Sequence, residues 1–236
     1  MVHKSRVIAV PVAGRHTINT YLVIGRRPIL VDAGTPGNAG KISDGLARHG
    51  VDPADLALIV LTHAHLDHFG SAAELRRLTG APVAAHAADA GPYRNGRTPR
   101  PYRPTGPMGR IMARARPLYA RVDPVEPEIL LDGPASLADF GVDGRIMPTP
   151  GHTAGSVSVL TDDGDLVAGD LIAGSFMGLI PRRPANPPFH DDPIRNLASL
   201  QAMLALNPRA LHVGHGGPLD PGRVARWAAR EQRRLS

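Results

Sequence analysis

The order of hydrophobic and polar positions predicts alternating β and α segments in the first third of the chain. Two apolar runs joined by a Gly-Arg-Arg turn favour a hairpin, and a continuous apolar run is typical of a buried strand. Helical spacing through Ile42 and Leu46 favours a helix between them. The predicted elements are a hairpin over 18–34, a helix over 38–50, a strand over 57–63, a helix over 71–80 and a strand over 81–86.

The second half of the chain repeats this scheme. Two alternating runs on either side of an Asp-Asp-Gly turn predict another hairpin, and Asp192-Pro193 and Asp220-Pro221 provide helix starts. Two β-rich halves, each followed by helices, predict paired sheets with helices outside. The predicted elements are a strand within 144–152, a hairpin over 156–170, a loop over 174–192, a helix over 193–207, a strand over 209–217 and a helix over 222–235.

Residues 91–125 interrupt the pattern and are predicted to be an Arg/Pro-rich insertion. They contain many prolines, and the part from Arg94 to Arg121 has eight arginines and no acidic residue. Only 111–120 has partly helical spacing. No linker separates the two halves, so we expect a single domain over 1–236.

Composition limits the class of protein. With 236 residues, 42% hydrophobic and 20% charged, the chain can bury a sizeable core. No segment is long and apolar enough to span a membrane, and the N-terminus lacks a secretory signal, so we expect a cytoplasmic protein. The absence of cysteine excludes disulfides, thiolate ligands and a cysteine nucleophile. Any metal must therefore be held by histidine and carboxylate.

The formal charge of +6 would suit an acidic partner, but the basic residues are unevenly chosen. Of 27 basic residues only Lys4 and Lys41 are lysines, which leaves 25 arginines. Together with abundant Ala, Gly and Pro, this is typical of GC-rich coding, and we favour that interpretation.

The stretch LTHAHLDHFG, from Leu61 to Gly70, places four metal-capable side chains directly after a predicted buried strand. Alternate residues of an extended segment share a face, so the first two histidines can point into one site, and the following Asp and His can serve a neighbouring ion. A catalytic zinc site usually has three protein ligands, so further donors are expected at other strand ends. The candidates are His63, His65, Asp67 and His68 in this stretch, and His152, Asp170 and His215 elsewhere.

The combination of THAHLDH, PGHTAGS, AGD and GHGG resembles the metallo-β-lactamase superfamily over nearly the whole chain. The resemblance implies an α/β fold, a four-layer αββα sandwich, with a two-metal site at one edge. Asp32 in VDAG corresponds to the acid that orients the histidine motif without binding metal. The implied ligands are His63, His65 and His152 for one ion, Asp67, His68 and His215 for the other, and Asp170 as the bridge.

Two divalent ions about 3.5 to 4 Å apart can share a water, lower its pKa and polarise the oxygen of a carbonyl or phosphoryl group. Hydrolysis is the reaction that this arrangement favours, and no G-x-S-x-G nucleophile motif competes with it. Asp67 or Asp170 can accept or relay a proton as the leaving group departs. We expect two Zn²⁺ ions, with Fe or Mn as alternatives.

Within the superfamily the motifs are most similar to the glyoxalase II branch and its lactonase and thioesterase relatives. The leading hypothesis is therefore hydrolysis of an acyl thioester, lactone or related ester. The chain ends about 20 residues after His215, so we expect no C-terminal glutathione-binding domain. Two alternatives stay open: a phosphodiesterase or nuclease, which the arginines support, and a non-hydrolytic protein, either a single-iron dioxygenase of a thiol or persulfide or a degenerate binding protein.

The expected partner is a small-molecule substrate, with no membrane and no nucleic acid, and the chain is compatible with a homodimer. The resemblance implies that the insertion at 91–125 covers the metal cleft as a lid; the alternative, which we favour, is a solvated surface loop. As a lid it would offer arginines to an anionic group of the substrate. The candidate substrate contacts are Arg97, Arg103, Arg110, Arg114 and, from a polar loop, His190.

Overall fold

The first half of the chain forms a six-stranded sheet with helices at its connections. The computed structural model describes residues 4–14, 16–99, 102–114 and 120–235. The strand order is the chain order, antiparallel over the first three strands and parallel over the rest. The elements are β1 (Arg6–Ala13), β2 (Ile18–Ile24), β3 (Pro28–Val31), α1 (Ala39–Arg48), β4 (Leu58–Val60), α2 (Leu66–Phe69), α3 (Ala72–Thr79), β5 (Val83–His86), α4 (Ala90–Asn95), α5 (Pro107–Met112) and β6 (Ile129–Leu131).

The second half forms a five-stranded sheet, a separate two-stranded sheet and two long helices. Its elements are β7 (Ala135–Ser136), β8 (Gly144–Pro148), β9 (Val157–Thr161), β10 (Asp165–Val167), β11 (Ala173–Ser175), β12 (Ile180–Ala185), α6 (Pro193–Ala205), β13 (Ala210–His212) and α7 (Pro221–Leu235). The larger sheet has the order β13-β10-β9-β8-β7, and only β10 and β13 are parallel. β11 pairs with β12.

Successive residues of a strand pack into different hydrophobic cores. Leu30 of β3 is buried in the core that contains Ile42 of α1. Its neighbour Val31 faces the other way, into a second core that contains Val159 of β9. A third core, on the far side of the second sheet, contains Leu166 of β10, Leu200 of α6 and Val224 of α7. Three cores separate four layers, so the predicted αββα sandwich is confirmed.

The two long helices begin where the sequence predicts. Asp192 caps α6 by accepting a hydrogen bond from the Arg195 backbone N–H, at 2.9 Å, and Pro193 occupies the first turn. Asp220 accepts from the Arg223 backbone N–H, at 2.8 Å, at the start of α7. Across the described ranges of the chain, no helix has both the length and the hydropathy that crossing a bilayer requires.

Two regions differ from the sequence prediction. The sequence predicts a loop over 174–192, but these residues contain most of the β11–β12 hairpin. The prediction missed β12 because Pro181 and Pro184 interrupt the alternation of polar and apolar residues that marks a strand. The predicted helical stretch 111–120 overlaps α5 only at its start, and part of it, 115–119, lies outside the described residues.

The two ends of the 91–125 segment are packed against the first core. Tyr93 and Val125 are buried there, and their backbones are joined by the hydrogen bond from the Val125 N–H to the Tyr93 oxygen, at 3.1 Å. The segment therefore leaves and re-enters the sandwich at a single, fixed point.

Candidate metal centre

Seven metal-capable side chains meet at one edge of the sandwich, where strands of both sheets end. Four follow β4 of the first sheet, and three come from the second sheet after β8, β10 and β13. The carboxyl ends of strands supply short loops whose side chains can converge, which is why residues far apart in sequence become neighbours. Six of the seven are buried, and Asp67 alone keeps some exposure, 27% for its side chain. The seven are His63, His65, Asp67, His68, His152, Asp170 and His215.

Three histidine nitrogens form the first group. His63 Nε2 lies 3.2 Å from His65 Nδ1, and His152 Nε2 lies 3.1 Å and 2.9 Å from these two atoms. Nitrogen ligands at about 2.0 to 2.1 Å from a tetrahedral zinc ion are separated by about 3.3 Å, so this spacing suits three ligands of one ion. Burial lowers the pKa of His63 and His152 well below the usual range, and nearby histidines add to the effect. Both rings are therefore neutral, the form that binds metal.

Hydrogen bonds fix which nitrogen of each ring faces the group. The Thr62 hydroxyl donates to Asp32, at 2.8 Å, so it must accept from His63 Nδ1–H, 3.0 Å away. His152 Nδ1 donates to the Phe189 carbonyl oxygen, at 2.9 Å. The Nε2 atoms of both histidines consequently carry lone pairs that point toward the centre.

The second group joins carboxylates to the remaining histidines. His215 Nε2 lies 3.3 Å from Asp67 Oδ2 and 3.2 Å from Asp170 Oδ2, and His68 Nε2 lies 3.5 Å from Asp170 Oδ1. Asp170 Oδ2 is also 3.8 Å from His152 Nε2 of the first group. Asp170 is thus placed between the two groups, which is the position a bridging ligand needs.

The charges of the second group are strongly coupled. Burial alone would lower the pKa of His68, but the carboxylates of Asp32, Asp170 and Asp67 outweigh it and raise that pKa to about 9. Burial would raise the pKa values of Asp67 and Asp170, but His68 and His215 outweigh it and lower them below the usual range. These carboxylates are ionised at neutral pH and favour a positive charge beside them, which is the proton on His68 in the metal-free centre and would be the metal ion once it displaces that proton.

Two buried atoms of this centre have no hydrogen-bond partner among the described residues: His68 Nε2 and Asp170 Oδ1. Unsatisfied buried polar atoms cost free energy, and an ion between them would satisfy both. Gly214 leaves the space open, because a Cβ there would lie 2.4 Å from Asp170 Oδ1 and 2.5 Å from His68 Cε1. The donor set, the orphaned atoms and the open space all fit divalent metal ions.

Asp32 lies behind the histidines and makes no contact with the centre's open side. It is buried at the end of β3 and has a positive φ of 67°, which turns its carboxylate toward the neighbouring strand end. Its oxygens accept from the Thr62 backbone N–H, at 2.8 Å, from the Thr62 hydroxyl, and from His68 Nδ1, at 2.7 Å. Asp32 therefore orients two of the histidines, as the resemblance implies for this position.

Sequence reasoning missed a second buried carboxylate, Asp89. It accepts from the Ala64 backbone N–H at 3.0 Å, from the Thr153 hydroxyl at 2.7 Å and from the Gly155 backbone N–H at 2.9 Å. These bonds connect the two histidine-bearing loops. Asp89 follows β5 at the same edge of the parallel sheet as Asp32, and this position after a predicted strand could have indicated it.

The open side of the centre is apolar. The described residues that line it, apart from the donors themselves, are Tyr102, Met112, Met177, Pro188 and Phe189. The Tyr102 ring is tilted by 42° against the His65 ring, with centroids 5.6 Å apart, and its centroid lies 4.7 Å from that of Phe189. Part of the 91–125 segment therefore does border the metal centre, through Tyr102 and Met112.

The arginines predicted to contact substrate lie outside this pocket. Arg103 donates to the Asp191 carbonyl oxygen, at 3.1 Å, and lines a neighbouring depression with Arg195. The other three are exposed and are absent from the described lining of the metal pocket: Arg97, Arg110 and Arg114.

His190 is buried behind the centre, and its predicted contact with substrate does not fit this position. Its Nδ1 lies 3.2 Å from His152 Nδ1, and its Nε2 lies 3.3 Å from both Asn186 Oδ1 and Asn196 Nδ2. Burial lowers its pKa to about 4, so the ring is neutral at physiological pH. His190 supports His152 from the side opposite the pocket.

The fold and the donor set define a metallo-hydrolase class, and comparison with known proteins gives the family. The profile of the metallo-beta-lactamase superfamily matches residues 13–215, and the chain belongs to that superfamily.

Among its curated relatives are a probable metallo-hydrolase, YflN of Bacillus subtilis (31% identical, 81% of this chain, 76% of the relative), and a hydroxyacylglutathione hydrolase of Anaeromyxobacter dehalogenans (31% identical, 80% of this chain, 67% of the relative). Among solved structures, the archaeal superfamily protein ST1585 from Sulfolobus tokodaii has a TM-score of 0.69 at 23% identity, covering 98% of this chain and 86% of its own. These matches confirm the predicted superfamily and its glyoxalase II-like relatives.

Proposed function

We propose that this protein is a hydrolase that holds two divalent metal ions and cleaves an acyl thioester, a lactone or a related ester. The observation that carries the proposal is the pairing of a seven-donor centre with an apolar pocket directly above it. The centre provides the chemistry, and the pocket indicates which substrates can reach it.

When bound, the ions would supply Lewis acidity and a water of lowered pKa. The chain's own residues set the geometry for this. Asp170 would be shared between the ions because it lies 3.2 Å from His215 of the second group and 3.8 Å from His152 of the first. Asp67 is the one partly exposed donor and lines the pocket, so it is the carboxylate placed to relay a proton to the leaving group.

The pocket favours an uncharged acyl group over a phosphodiester. Its described lining offers aromatic rings, thioethers and proline, but no arginine or lysine to bind a phosphate. Large exposed apolar side chains also flank Met112 and Met177 on α5 and on the turn after β11. They are Met108, Ile111, Phe176 and Leu179. Such a surface suits an acyl chain, because it is exposed and therefore available to a ligand.

The relatives support the same reaction class. Several carry the name hydroxyacylglutathione hydrolase, and others are called probable metallo-hydrolases. The identity of the acyl group is left to the test below.

Metal analysis combined with a substrate panel tests the proposal. Purified protein is expected to contain two divalent ions per chain and to hydrolyse a thioester or a lactone faster than a generic phosphodiester. His63→Ala and His152→Ala should each lose at least one ion and most of the activity, whereas His49→Ala, at an exposed position on α1's end, should change neither.

Three outcomes would contradict the proposal. Full metal content and full rate in both histidine variants would show that these residues are not ligands. Turnover of the phosphodiester alone would assign the protein to the phosphodiesterases. A single iron per chain with oxygen consumption in the presence of a thiol would assign it to the dioxygenases.

A further inference from the structure

A second concave surface, which we call the arginine basin, lies between β12 and α7. It has a volume of about 760 Å³ and also contains Trp227 and Glu231. The arginines that line it are Arg182, Arg183, Arg223, Arg226, Arg230 and Arg234.

The sequence of α7 explains how the basin forms. Four of its five arginines, Arg223, Arg226, Arg230 and Arg234, recur at intervals of three and four residues, which places them along one face of the helix. Val224 and Ala228, on the other face, are buried in the third core and hold the helix against the second sheet. Arg182 and Arg183 then approach from β12 and are exposed opposite this face.

Most of the formal net charge of the chain lies in the basin. The whole chain has a formal net charge of +6, and the basin alone has six arginines against one glutamate. The remaining charges therefore nearly balance.

Five of the six arginines of the basin make no ion pair in the described part of the chain, and most described arginines elsewhere are likewise unpaired. Described ion pairs outside the basin involve Arg26, Arg76, Arg77, Arg94 and Arg209. Within the basin, the described part of the chain shows one, between Arg234 and Glu231. Like charges held close together repel, so an anionic ligand would stabilise this arrangement.

The shape and chemistry of the basin favour a small ligand with several phosphates. Guanidinium groups bind phosphate oxygens in pairs, and the volume lies within the roughly 300 to 1,000 Å³ of small-molecule sites, far more than one phosphate fills. Trp227 is partly buried among the arginines and provides an aromatic surface on which a base can stack. A ligand that carries both phosphates and a base is a nucleotide.

The linings of the basin and of the metal pocket include neighbouring residues of the β11–β12 hairpin. Ser175 lines the basin, and Met177, two residues further along the same hairpin, lines the metal pocket. Asn186 donates to Glu231 in the basin, at 2.6 Å, and its Oδ1 lies 3.3 Å from His190, which supports His152. Because this hairpin lines both sites, a ligand with a phosphorylated end in the basin and a long flexible arm could extend along it to the metal pocket.

We propose that the arginine basin binds a phosphorylated nucleotide, and that this nucleotide is the coenzyme A part of the acyl thioester substrate. The identification with a thioester rests on the proposed function, but nucleotide binding does not. A free nucleotide has the same recognition chemistry, and the experiment below separates the two sources.

Trp227 makes binding directly measurable, because it is the chain's single tryptophan. Its fluorescence should change on titration with coenzyme A or ADP, and far less with inorganic phosphate, and calorimetry should give the same affinities. Arg226→Gln/Arg230→Gln should weaken binding by about tenfold or more, since it removes two charged hydrogen-bond donors. Arg48→Gln/Arg233→Gln is the matched control: it removes the same charge from exposed helix positions outside the basin.

The direct measurements can overturn the proposal in three ways. The first is the absence of both a fluorescence change and a heat of binding with either nucleotide. The second is equal loss in the two double variants, which would indicate a general charge effect. The third is tighter binding of a single-stranded oligonucleotide than of either nucleotide, which would assign the basin to nucleic acid.

A kinetic comparison identifies the source of the nucleotide. The basin variant should raise KM for an acyl coenzyme A several-fold with kcat nearly unchanged, and should leave a thioester that lacks the nucleotide unaffected. Tighter binding of ADP than of coenzyme A, with unchanged KM, would overturn the substrate assignment in favour of a free nucleotide. If no ester or thioester is hydrolysed while coenzyme A still binds at the basin, the proposed function fails and nucleotide binding stands.

Discussion

At the scale of single residues, the metal centre depends on hydrogen bonds that lie outside it. Asp32 determines the orientation of Thr62 and His68, and through Thr62 it determines which nitrogen of His63 is protonated. A ring whose Nδ1 must donate to a fixed acceptor presents Nε2 to a metal without further rearrangement. The ligands are preorganised because their partners are buried.

Asp32→Asn tests this preorganisation. Asparagine tolerates the positive φ of 67°, so the fold should be retained. The NH2 group of the amide, however, replaces one of the two accepting oxygens and therefore faces another hydrogen-bond donor, either the Thr62 N–H or His68 Nδ1. Metal affinity should fall by about 10 to 100-fold, measured by competition with a chromophoric chelator, while the far-UV circular dichroism is unchanged. Asp44→Asn, exposed on α1, is the charge-matched control, and equal affinity in both variants would contradict the role of Asp32.

Asp170→Asn tests the bridge between the two groups of donors. The amide keeps the shape of the side chain but loses the charge that both ions would share. We expect about one ion per chain instead of two and a loss of rate greater than about 100-fold, since loss of an outer partner alone costs about 10 to 100-fold. Asp165→Asn, at the start of β10, removes a buried carboxylate that contacts His212 and Arg209 instead. That control should keep both ions, and a rate for Asp170→Asn within about twofold of wild type would exclude bridging.

At the scale of elements, the end of β13 passes very close to the ligands. Gly214→Ala should displace Asp170 and His68, because the new Cβ would lie 2.4 Å and 2.5 Å from their atoms. We expect loss of the second ion and most of the activity, although no donor has been changed. Gly40→Ala, where a Cβ would meet nothing within 4 Å, is the matched control on α1. Two ions and normal rate in Gly214→Ala would show that the centre is less rigid than the structure indicates.

The elements were predictable where one local signal dominated. The buried run before His63 and the Asp192-Pro193 helix start each have a pattern confined to a few residues, and both were predicted. The β11–β12 hairpin was not, because Pro181 and Pro184 break the alternation that marks a strand. Its pairing depends on contacts that a local pattern does not contain.

In the candidate site, too, features with a local sequence signal were predicted and features that depend on distant contacts were not. The seven donors could be predicted because each is a histidine or aspartate that follows an apolar run, and the structure brings all seven together. The depth of His190 could not be read from a polar loop, because it depends on Asn186 and Asn196 closing around the ring. The arginine basin was equally hidden, since it joins a strand to a helix about 40 residues later.

At the scale of the whole molecule, the metal centre joins the two sheets. His63, His65, Asp67 and His68 extend from the first sheet, and His152, Asp170 and His215 extend from the second. The second core holds the same two sheets together by hydrophobic contact. Ions at the edge would add a second connection, and stability should therefore depend on metal.

Removal of the metals by a chelator tests this connection. Ligands that bind only the folded state stabilise it by about 2.7 kcal/mol when present at 100 times Kd, and about 2 to 4 °C of Tm corresponds to each kcal/mol for a chain of this size. We expect the Tm to fall by roughly 5 to 10 °C on chelation and to recover when zinc is added back. His63→Ala should respond weakly to zinc, whereas His49→Ala should respond as wild type.

Hydrogen exchange locates the effect within the fold. If the ions connect the sheets, chelation should increase exchange both in the segment after β4 and in the segments after β8, β10 and β13, since each supplies donors from a different side of the second core. The arginine basin should be little affected, because α7 is held by the third core. Increased exchange in one sheet alone, or an unchanged Tm, would show that the metals do not join the two halves of the molecule.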